Sequence, residues 1–335
     1  MMSATQAAKY RREVVTMLSK AVCGRHSILR LKSESGGTGQ DGFIVVAVLW
    51  ILSALAILAV VYAFYVNQTA AAFIDQNDRV QAEELALAGV ELVVYQLAAT
   101  PRAQASHGSF GFRLGGADVA VNFRSENARI DLNAAPKELL AGLFFALGAG
   151  RENADSLADR IIIWRTPPTP GTTDTEAPLY RSAGKNYAPR RGPFQHVNEL
   201  GLVLGFPSEL VDRALPYLTV YSGLPGVNMV DAAPEVLAAL PGMTPDILHF
   251  LMEQRDAAPL DVLRTRLGSA TRYATVEASK ANRVTVDVRF DAKRRNHLEI
   301  VVLPLDGDTE PFRILSWRDE LDGPWSDDSS RLGLQ

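Results

Sequence analysis

Cysteine is almost absent from this sequence, and Cys23 is the single occurrence among 335 residues. No second thiol is available for an intramolecular disulfide, and residues 43–335 contain no thiol that could act as a nucleophile. The sequence therefore excludes a disulfide-supported fold and a cysteine-dependent enzyme. A main body without cysteine is compatible with an oxidising compartment.

Charge is missing from one long stretch. Residues 42–74 contain no Asp, Glu, Lys or Arg over 33 consecutive positions, and the stretch begins GFIVVAVLWILSALAILAVVYAFYVNQ. About 20 apolar residues are enough to cross a bilayer as a helix. The sequence therefore predicts one transmembrane segment at residues 43–66, and the remainder of the chain is soluble in composition.

Basic residues exceed acidic ones only before this apolar run. Residues 1–42 carry a net charge of +4, which leaves −8 for residues 43–335 of a chain whose total is −4. Positive charge beside a membrane span favours the cytoplasmic side, so residues 1–42 are predicted inside and the body outside. The acidic body disfavours broad nucleic-acid binding, because such binding depends on neutralising phosphates with Lys and Arg.

Three interpretations of residues 1–66 are compatible with the apolar run. A cleaved signal peptide has a shorter apolar core followed by a small-residue cleavage site, whereas a plain signal anchor needs only length. The third interpretation is a prepilin-type leader, residues 1–42, that is cut between Gly42 and Phe43, so that the mature protein keeps its anchor. Met17 is an alternative start for this leader.

The segment that follows the span favours the third interpretation. Apolar residues of the segment 67–100 recur at roughly helical spacing without proline, which predicts an amphipathic continuation of the N-terminal helix. This layout is typical of pilin-like subunits, in which most members carry Glu at the fifth mature position. Here that position is Ala47. Because a carboxylate in a bilayer is costly without a partner charge, the absence of the acid predicts a subunit at the filament tip, with no neighbour beyond it.

The body changes between strand and helix patterns. An alternating stretch at residues 110–124 surrounds Gly115-Gly116 and predicts a β-hairpin. Three further strands are predicted near the C-terminus, at residues 284–290, 297–305 and 311–320.

The order of these patterns predicts an α+β fold, in which the long N-terminal helix packs on a pilin-like β-sheet head. The head comprises residues 108–131 plus 275–320, because β pieces separated by an insertion can share one sheet. Residues 132–274 are predicted to form a large all-α insertion, and residues 321–335 a solvated tail.

Two motifs in the insertion resemble each other at a distance of 98 residues. Residues 133–136 read NAAP and residues 231–234 read DAAP, and apolar positions at helical spacing follow each motif. Asn133 and Asp231 are predicted to cap these helices, with the proline in the first turn. The two motifs predict two related helical modules.

The second module continues as a helix-hairpin-helix-like (SAM-like) element. Residues 240–243, LPGM, predict a tight turn, with Thr244 or Asp246 as the cap of the next helix. Such elements often bind DNA backbones through turn N–H groups and basic residues. Thr244 replaces the second turn glycine of DNA binders, and Glu253 and Asp256 add negative charge. A packing module is the preferred interpretation, and a membrane-anchored DNA-binding protein of the competence type is the alternative.

Five segments in this order resemble the type II secretion system minor pseudopilin K (general secretion pathway protein K) family. They read GFIVVAVLWILSALAILA, ARIDLNAAPKELL, GPFQHVNELGLVLGF, VNMVDAAPEVLAALPGM and FRILSWRDE. The resemblance implies a protein without enzymatic activity in the cell inner membrane, single-pass, with its N-terminus in the cytoplasm and its head in the periplasm. It also implies that a prepilin peptidase cleaves between Gly42 and Phe43 and that the new Phe43 amine is methylated.

The partners are also implied by the resemblance. The mature subunit would join minor pseudopilins of the I and J types in a tip complex on a filament of major pseudopilin. The inner-membrane secretion platform would support this filament, which pushes folded proteins through an outer-membrane secretin. No nucleic acid is expected as a partner.

Calcium is a possible ligand by the same resemblance, and no other cofactor is implied. Calcium takes about six to eight oxygen ligands, which the family draws from a long loop, predicted here at residues 166–193. Asp174 and Glu176 are the candidate metal residues, and Arg165 stands where relatives carry an acid. A solvated loop is the simpler interpretation of these two acids.

A hydrolase is the third class of function. His196, His249 and His297 occur without a nucleophile motif and without HExxH spacing. No catalytic residue is therefore assigned.

Overall fold

The computed structural model describes residues 41–99, 106–168, 171, 175–255, 257–290, 294–305 and 310–320, except for the side chains of residues 41–44, 67–76 and 320. The chain forms two compact units, Met1–Ala71 and Ala72–Gln335. Residues 1–40 of the predicted leader, the predicted tail at residues 321–335 and the candidate metal residue Asp174 lie outside the described residues.

One helix, α1 (Asp41–Ala99), continues without interruption through 59 residues. Within the first unit, the stretch Val45–Val66 has a mean hydropathy of 2.7 and none of it is buried, so it is long and apolar enough to cross a membrane. The absence of proline explains the continuity, because an interior proline costs a helix about 3 kcal/mol. The predicted continuation of the N-terminal helix is confirmed, and α1 ends at Ala99.

The second unit contains a five-stranded antiparallel sheet with the strand order β1-β2-β7-β8-β9. These strands are β1 (His107–Leu114), β2 (Ala117–Ser125), β7 (Asn282–Arg289), β8 (Arg295–Pro304) and β9 (Phe312–Glu320). β2 pairs directly with β7, although the helical segment lies between them in sequence. The predicted α+β class is confirmed.

The first hairpin forms at the predicted glycines. β1 and β2 are joined by Gly115 and Gly116, whose φ angles are +61° and +85°. Two-residue hairpin turns of this kind require positive φ at both positions, and glycine adopts positive φ without steric cost.

The part of α1 from Ala82 to Val94 packs on one face of this sheet. The buried helix residues recur at helical spacing, and they are Ala82, Leu85, Ala86, Val90, Val93 and Val94. The facing sheet residues are mainly valines, because alternate strand positions point to the same side. Gly89 permits the close approach, since a Cβ at this position would lie 3.0 Å from Cγ2 of Val121.

Seven α-helices lie between β2 and β7 in the described part of the chain. They are α2 (Lys137–Ala146), α3 (Arg151–Arg165), α4 (Glu176–Ser182), α5 (Ser208–Ala214), α6 (Pro234–Ala238), α7 (Pro245–Gln254) and α8 (Leu260–Leu267). Short 3-10 helices form at Glu126–Ala128, Val197–Leu202, Leu215–Tyr217 and Gly268–Tyr273. These elements enclose a second hydrophobic core, separate from the core beneath the sheet.

Two predictions for this segment are wrong. The segment is not all-α, because two short parallel strand pairs occur in it: β3 (Ile130–Asp131) with β4 (Leu218–Thr219), and β5 (Val227–Asn228) with β6 (Ala274–Thr275). Two-residue strands are too short to produce a recognisable alternation. The predicted irregular loop at residues 166–193 contains α4, which forms where Tyr180 is buried against Trp164.

Candidate functional site

The predicted processing residues lie at the start of α1. Gly42 and Phe43 are helical, and the Phe43 side chain lies outside the described parts of the structure. Ala47 is half-exposed, and the surface beyond it is apolar, with 74% of Trp50 exposed. Monomeric soluble proteins rarely expose so large an apolar surface. Cleavage at Gly42 and the significance of Ala47 stay predictions.

Ion pairs join the second half of α1 to the sheet. Arg294 Nη1 donates to both carboxylate oxygens of Asp78, at 2.9 and 2.7 Å. Arg79 Nε lies 3.0 Å from Asp319 Oδ2 on β9. These contacts supplement the apolar packing, so the second half of α1 is a structural part of the head.

A buried ion cluster connects the sheet with the helical segment. Glu126 is fully buried, and Arg283 on β7 donates to its Oε1 at 2.6 Å and to its Oε2 at 3.2 Å. The Thr219 hydroxyl on β4 donates to Glu126, and Arg283 also donates to Glu299 on β8. Burial lowers the pKa of the Arg283 guanidinium, but Glu126 and Glu299 outweigh burial and hold this pKa above its ordinary value.

Arg129 lies beside this cluster without a comparable partner. Its Nη2 is 3.8 Å from Glu299 Oε2, which is too long for a hydrogen bond. Burial first, and then the neighbouring Arg283, lower the pKa of Arg129 to about 10. This guanidinium is therefore partly buried, with 27% of its side chain exposed, and only weakly compensated.

A cleft of about 440 Å³ opens at the same junction. At one side His107 Nδ1 on β1 lies 2.6 Å from Asp231 Oδ1, and Asn228 Nδ2 donates to Asp231 Oδ2 at 3.0 Å. Arg124 Nη1 reaches the backbone carbonyl of Asp231 at 3.4 Å. The cleft therefore brings together charged side chains from the sheet and from the helical segment.

The sequence did not identify Glu126, Arg129 or Arg283 as candidates. Glu126 and Arg283 are 157 positions apart. A charged residue at a strand end is ordinary in a sequence, so no local signal marks such a pair.

The two related modules begin with the same backbone turn. Asp131 Oδ1 accepts from the N–H of Asn133 at 2.7 Å, and Asn228 Oδ1 accepts from the N–H of Val230 at 2.9 Å. The carbonyl of Asp131 accepts from Ala135 N–H, and the carbonyl of Asn228 accepts from Ala232 N–H, in both cases at 2.9 Å. The structural equivalence is thus between Asp131 and Asn228.

The short strands extend this equivalence. The N–H of Leu132 donates to the carbonyl of Thr219 at 2.8 Å, and the N–H of Met229 donates to the carbonyl of Thr275 at 2.9 Å. Each threonine hydroxyl then accepts from the N–H two residues later, at 3.1 Å in both modules. Each module is therefore closed by a parallel strand that follows its helices.

An arginine stabilises each turn. Arg165 at the end of α3 donates to the carbonyls of Leu132 and Ala135 at 2.5 and 2.6 Å. Arg255 after α7 donates to the carbonyl of Ala232 at 2.8 Å. Arg165, which stands where relatives carry an acid, therefore holds the turn of the first module, and burial lowers its pKa.

The predicted caps at Asn133 and Asp231 are wrong. Helices α2 and α6 begin after Pro136 and Ala233, without a side-chain cap in either case. Asn133 instead bonds the backbone of Phe194, accepting at 2.7 Å and donating at 2.9 Å, because the turn has already moved it away from the helix start. Pro234 is in the first turn as predicted.

The cap of α7 follows the prediction. Thr244 accepts from the N–H of Ile247 at 3.3 Å, whereas Asp246 lies in the first turn of the helix.

The calcium prediction has no structural test at Asp174. Glu176 is the first residue of α4 and is half-exposed. The described residues contain no group of three or more His, Cys, Asp or Glu side chains that could hold a metal ion.

The three histidines have local contacts. His196 Nδ1 accepts from the N–H of Asn198 at 3.1 Å and caps a 3-10 turn. His249 Nε2 lies 3.2 Å from Glu253, and His297 Nδ1 lies 2.7 Å from Asp287.

Comparisons with known proteins agree with the fold. A chain in the crystal structure of the GspK-GspI-GspJ complex from the enterotoxigenic Escherichia coli type 2 secretion system has a similar fold, with a TM-score of 0.52 and 16% identity over 73% of this chain and 97% of that chain. No curated protein matches significantly. Residues 120–223 match the family model of type II secretion system (T2SS) protein K. The resemblance to the type II secretion system protein K family is thereby confirmed, and residues 120–223 carry its domain.

Proposed function

We propose that this chain is a minor pseudopilin of the type II secretion system that caps the tip of the periplasmic pseudopilus and helps to initiate its assembly. One observation carries the proposal: α1 exposes a continuous apolar surface over Val45–Val66 and packs its later residues into the head sheet. Such a subunit can be held in the inner membrane by one part of a helix and present a folded head with the other. The proposal is of a structural protein and not of an enzyme.

Position at the tip is supported by Ala47. A filament subunit with a neighbour beyond it can pair a carboxylate at this position, whereas a tip subunit cannot. We expect Ala47→Glu to impair secretion, because a carboxylate in the membrane is costly without a partner charge and a tip subunit has no neighbour to supply one. Ala47→Gln is the matched control. Secretion of a reporter by Ala47→Glu cells at or above the level of the control cells would argue against the tip position.

Minor pseudopilins of the I and J types are the proposed direct partners, since the similar solved chain belongs to a complex with GspI and GspJ. The major pseudopilin and the inner-membrane platform would follow through assembly. The test is co-expression of the full chain with the I- and J-type proteins of the same cell, followed by affinity purification in detergent. Recovery of neither protein would contradict the proposal.

Processing by a prepilin peptidase is proposed between Gly42 and Phe43. Co-expression with the peptidase should shorten the chain, and N-terminal sequencing should begin at Phe43. Gly42→Ala should remain uncut, whereas Ser53→Ala, which lies within the span, should be cut normally. Normal cleavage of Gly42→Ala would remove this part of the proposal. The same assay, followed by mass spectrometry, detects methylation of the Phe43 amine.

The helix-hairpin-helix-like element formed by α6 and α7 is proposed to be a packing module and not a DNA-binding site. The residue after their turn, Thr244, uses its side chain to cap α7, and Arg255, the basic residue nearest the end of α7, donates to Ala232. If the full chain bound duplex DNA at physiological salt and lost this binding at higher salt, the competence-type alternative would be favoured.

Calcium at Asp174 and Glu176 stays a prediction. Isothermal titration of the full chain with calcium, in comparison with a variant in which both acids are amides, is the direct measurement. Equal heats from both proteins would exclude these two residues as ligands.

A further inference from the structure

We propose that the cleft between the sheet and the helical segment binds a carboxylate side chain of a partner protein in the secretion filament, through Arg124 and Arg129. The identity of the partner as a filament protein rests on the proposed function. The chemistry of the site rests on the charges and contacts of the cleft.

The ion cluster at the base of the cleft has one positive charge in excess. Glu126 and Glu299 are its two carboxylates, and Arg283 binds both. Arg129 lies 3.8 Å and Arg318 lies 3.6 Å from Glu299. Three guanidinium groups therefore share two carboxylates, and the better contacts belong to Arg283.

Arg129 is the member with unused hydrogen-bonding capacity. Its guanidinium has five N–H donors, and among the described residues no acceptor lies within hydrogen-bond distance of its side chain. Its low pKa, about 10, reflects burial together with repulsion from Arg283. A carboxylate offers two oxygens in the geometry that a guanidinium binds best, and its charge would compensate both the burial and the repulsion.

Arg124 supplies a second cation to the same cleft. It lies on β2, it is exposed, and its side chain makes a long 3.4 Å hydrogen bond to the carbonyl of Asp231. The two acidic side chains of the cleft are already occupied, since Asp231 pairs with His107 and Glu126 pairs with Arg283. An incoming anion therefore meets arginine and not an unpaired acid.

The dimensions and walls of the cleft favour a protein side chain over a free ion. A volume of about 440 Å³ falls in the range of sites for organic ligands. Pro216, Tyr217 and Val236 line the cleft together with the arginines. A carboxylate carried by a peptide can contact these apolar walls, whereas a small hydrated anion cannot use them.

The test measures binding of a fluorescent hexapeptide of alternating alanine and aspartate to the full chain in detergent. Its counterpart with asparagine, free succinate and inorganic phosphate are the comparison ligands. We expect the asparagine peptide to bind at least about tenfold more weakly, because the charge-assisted hydrogen bonds are lost. Arg129→Gln should weaken binding of the aspartate peptide to a similar extent.

Arg113→Gln is the matched control, since Arg113 lies on the same sheet, does not line the cleft and is 74% exposed. This variant should bind the peptide within about twofold of the wild type, because exposed ion pairs contribute little. If Arg129→Gln does not fold, Arg124→Gln, which changes an exposed residue, provides the same comparison. Equal binding of both peptides, or an equal loss in the control, overturns the site.

Two further outcomes separate the parts of the proposal. Phosphate or succinate binding as tightly as the aspartate peptide overturns the assignment to a protein side chain. If no peptide binds but the I- and J-type proteins still co-purify, this inference is overturned and the proposed function stands. If the peptide binds as expected but no pseudopilin is recovered, the carboxylate site stands and the proposed function is lost.

Discussion

The strongest stability prediction concerns Glu126→Gln. This substitution keeps the size of the side chain and removes its charge, which leaves Arg283 with only Glu299 as a partner. The Arg283 side chain is 11% exposed and that of Glu126 is 0% exposed, so water cannot replace the lost partner. Removing one partner of a buried ion pair costs about 3 to 5 kcal/mol. Because glutamine can still accept from Thr219, we expect the lower end, about 3 kcal/mol.

The assay is urea unfolding of the full chain in detergent, followed by circular dichroism. Asp159→Asn is the matched control, because it also converts a carboxylate into an amide. Its partner Lys137 lies 2.8 Å away, and the two side chains are 38% and 53% exposed. Such exposed pairs contribute at most about 1 kcal/mol. The midpoint of unfolding should therefore fall clearly for Glu126→Gln and change little for Asp159→Asn.

Thr219→Val extends the test to the connection between the two parts of the head. The Thr219 hydroxyl donates to Glu126 from the helical segment. In a double-mutant cycle the two substitutions should therefore cost less together than the sum of their separate effects. Equal losses of unfolding free energy for Glu126→Gln and Asp159→Asn would refute the interpretation that this cluster connects the sheet to the helical segment. Strictly additive losses for Glu126→Gln and Thr219→Val would also refute it.

Two further predictions concern packing in the helical segment. A Cβ at Gly142 would lie 2.0 Å from the backbone oxygen of Ala239. Gly142→Ala should therefore lower the free energy of unfolding by about 2 to 3 kcal/mol. Gly201→Ala is the control, because its Cβ would meet nothing within 4 Å, and it should change the free energy of unfolding by less than about 0.5 kcal/mol. Arg255→Met removes the hydrogen bond to the Ala232 carbonyl and should cost about 1.5 to 3 kcal/mol in the same urea assay. An unchanged midpoint for either Gly142→Ala or Arg255→Met would contradict the contact concerned.

Local signals explain the successful predictions of structure. The turn between β1 and β2 needs two residues with positive φ, and Gly115-Gly116 satisfies this requirement by itself. Thr244 has the residue type and position of a helix cap, and it caps α7. In both cases the partners lie within a few residues, so the sequence contains the whole interaction.

The wrong predictions fell where a distant contact decided the outcome. Asn133 has the correct residue type for a cap, but it bonds Phe194, which is 61 positions away. The two motifs match in sequence at Asn133 and Asp231, whereas the equivalent turns are formed by Asp131 and Asn228. Any Asn or Asp side chain can accept a backbone N–H two or three residues later. Which Asn or Asp of each motif forms the turn depends on the backbone path into the module.

The sequence by itself determined the long helix, the apolar surface at its start, the α+β class and the resemblance to the type II secretion system protein K family. These properties follow from composition, periodicity and short motifs, which are local. Only the tertiary structure decided that Glu126, Arg283 and Glu299 form a buried cluster and that Arg129 is left beside it with a weak partner. The reason is physical: desolvation and charge pairing depend on distances between residues that the chain brings together only after β2 and β7 pair across the helical segment.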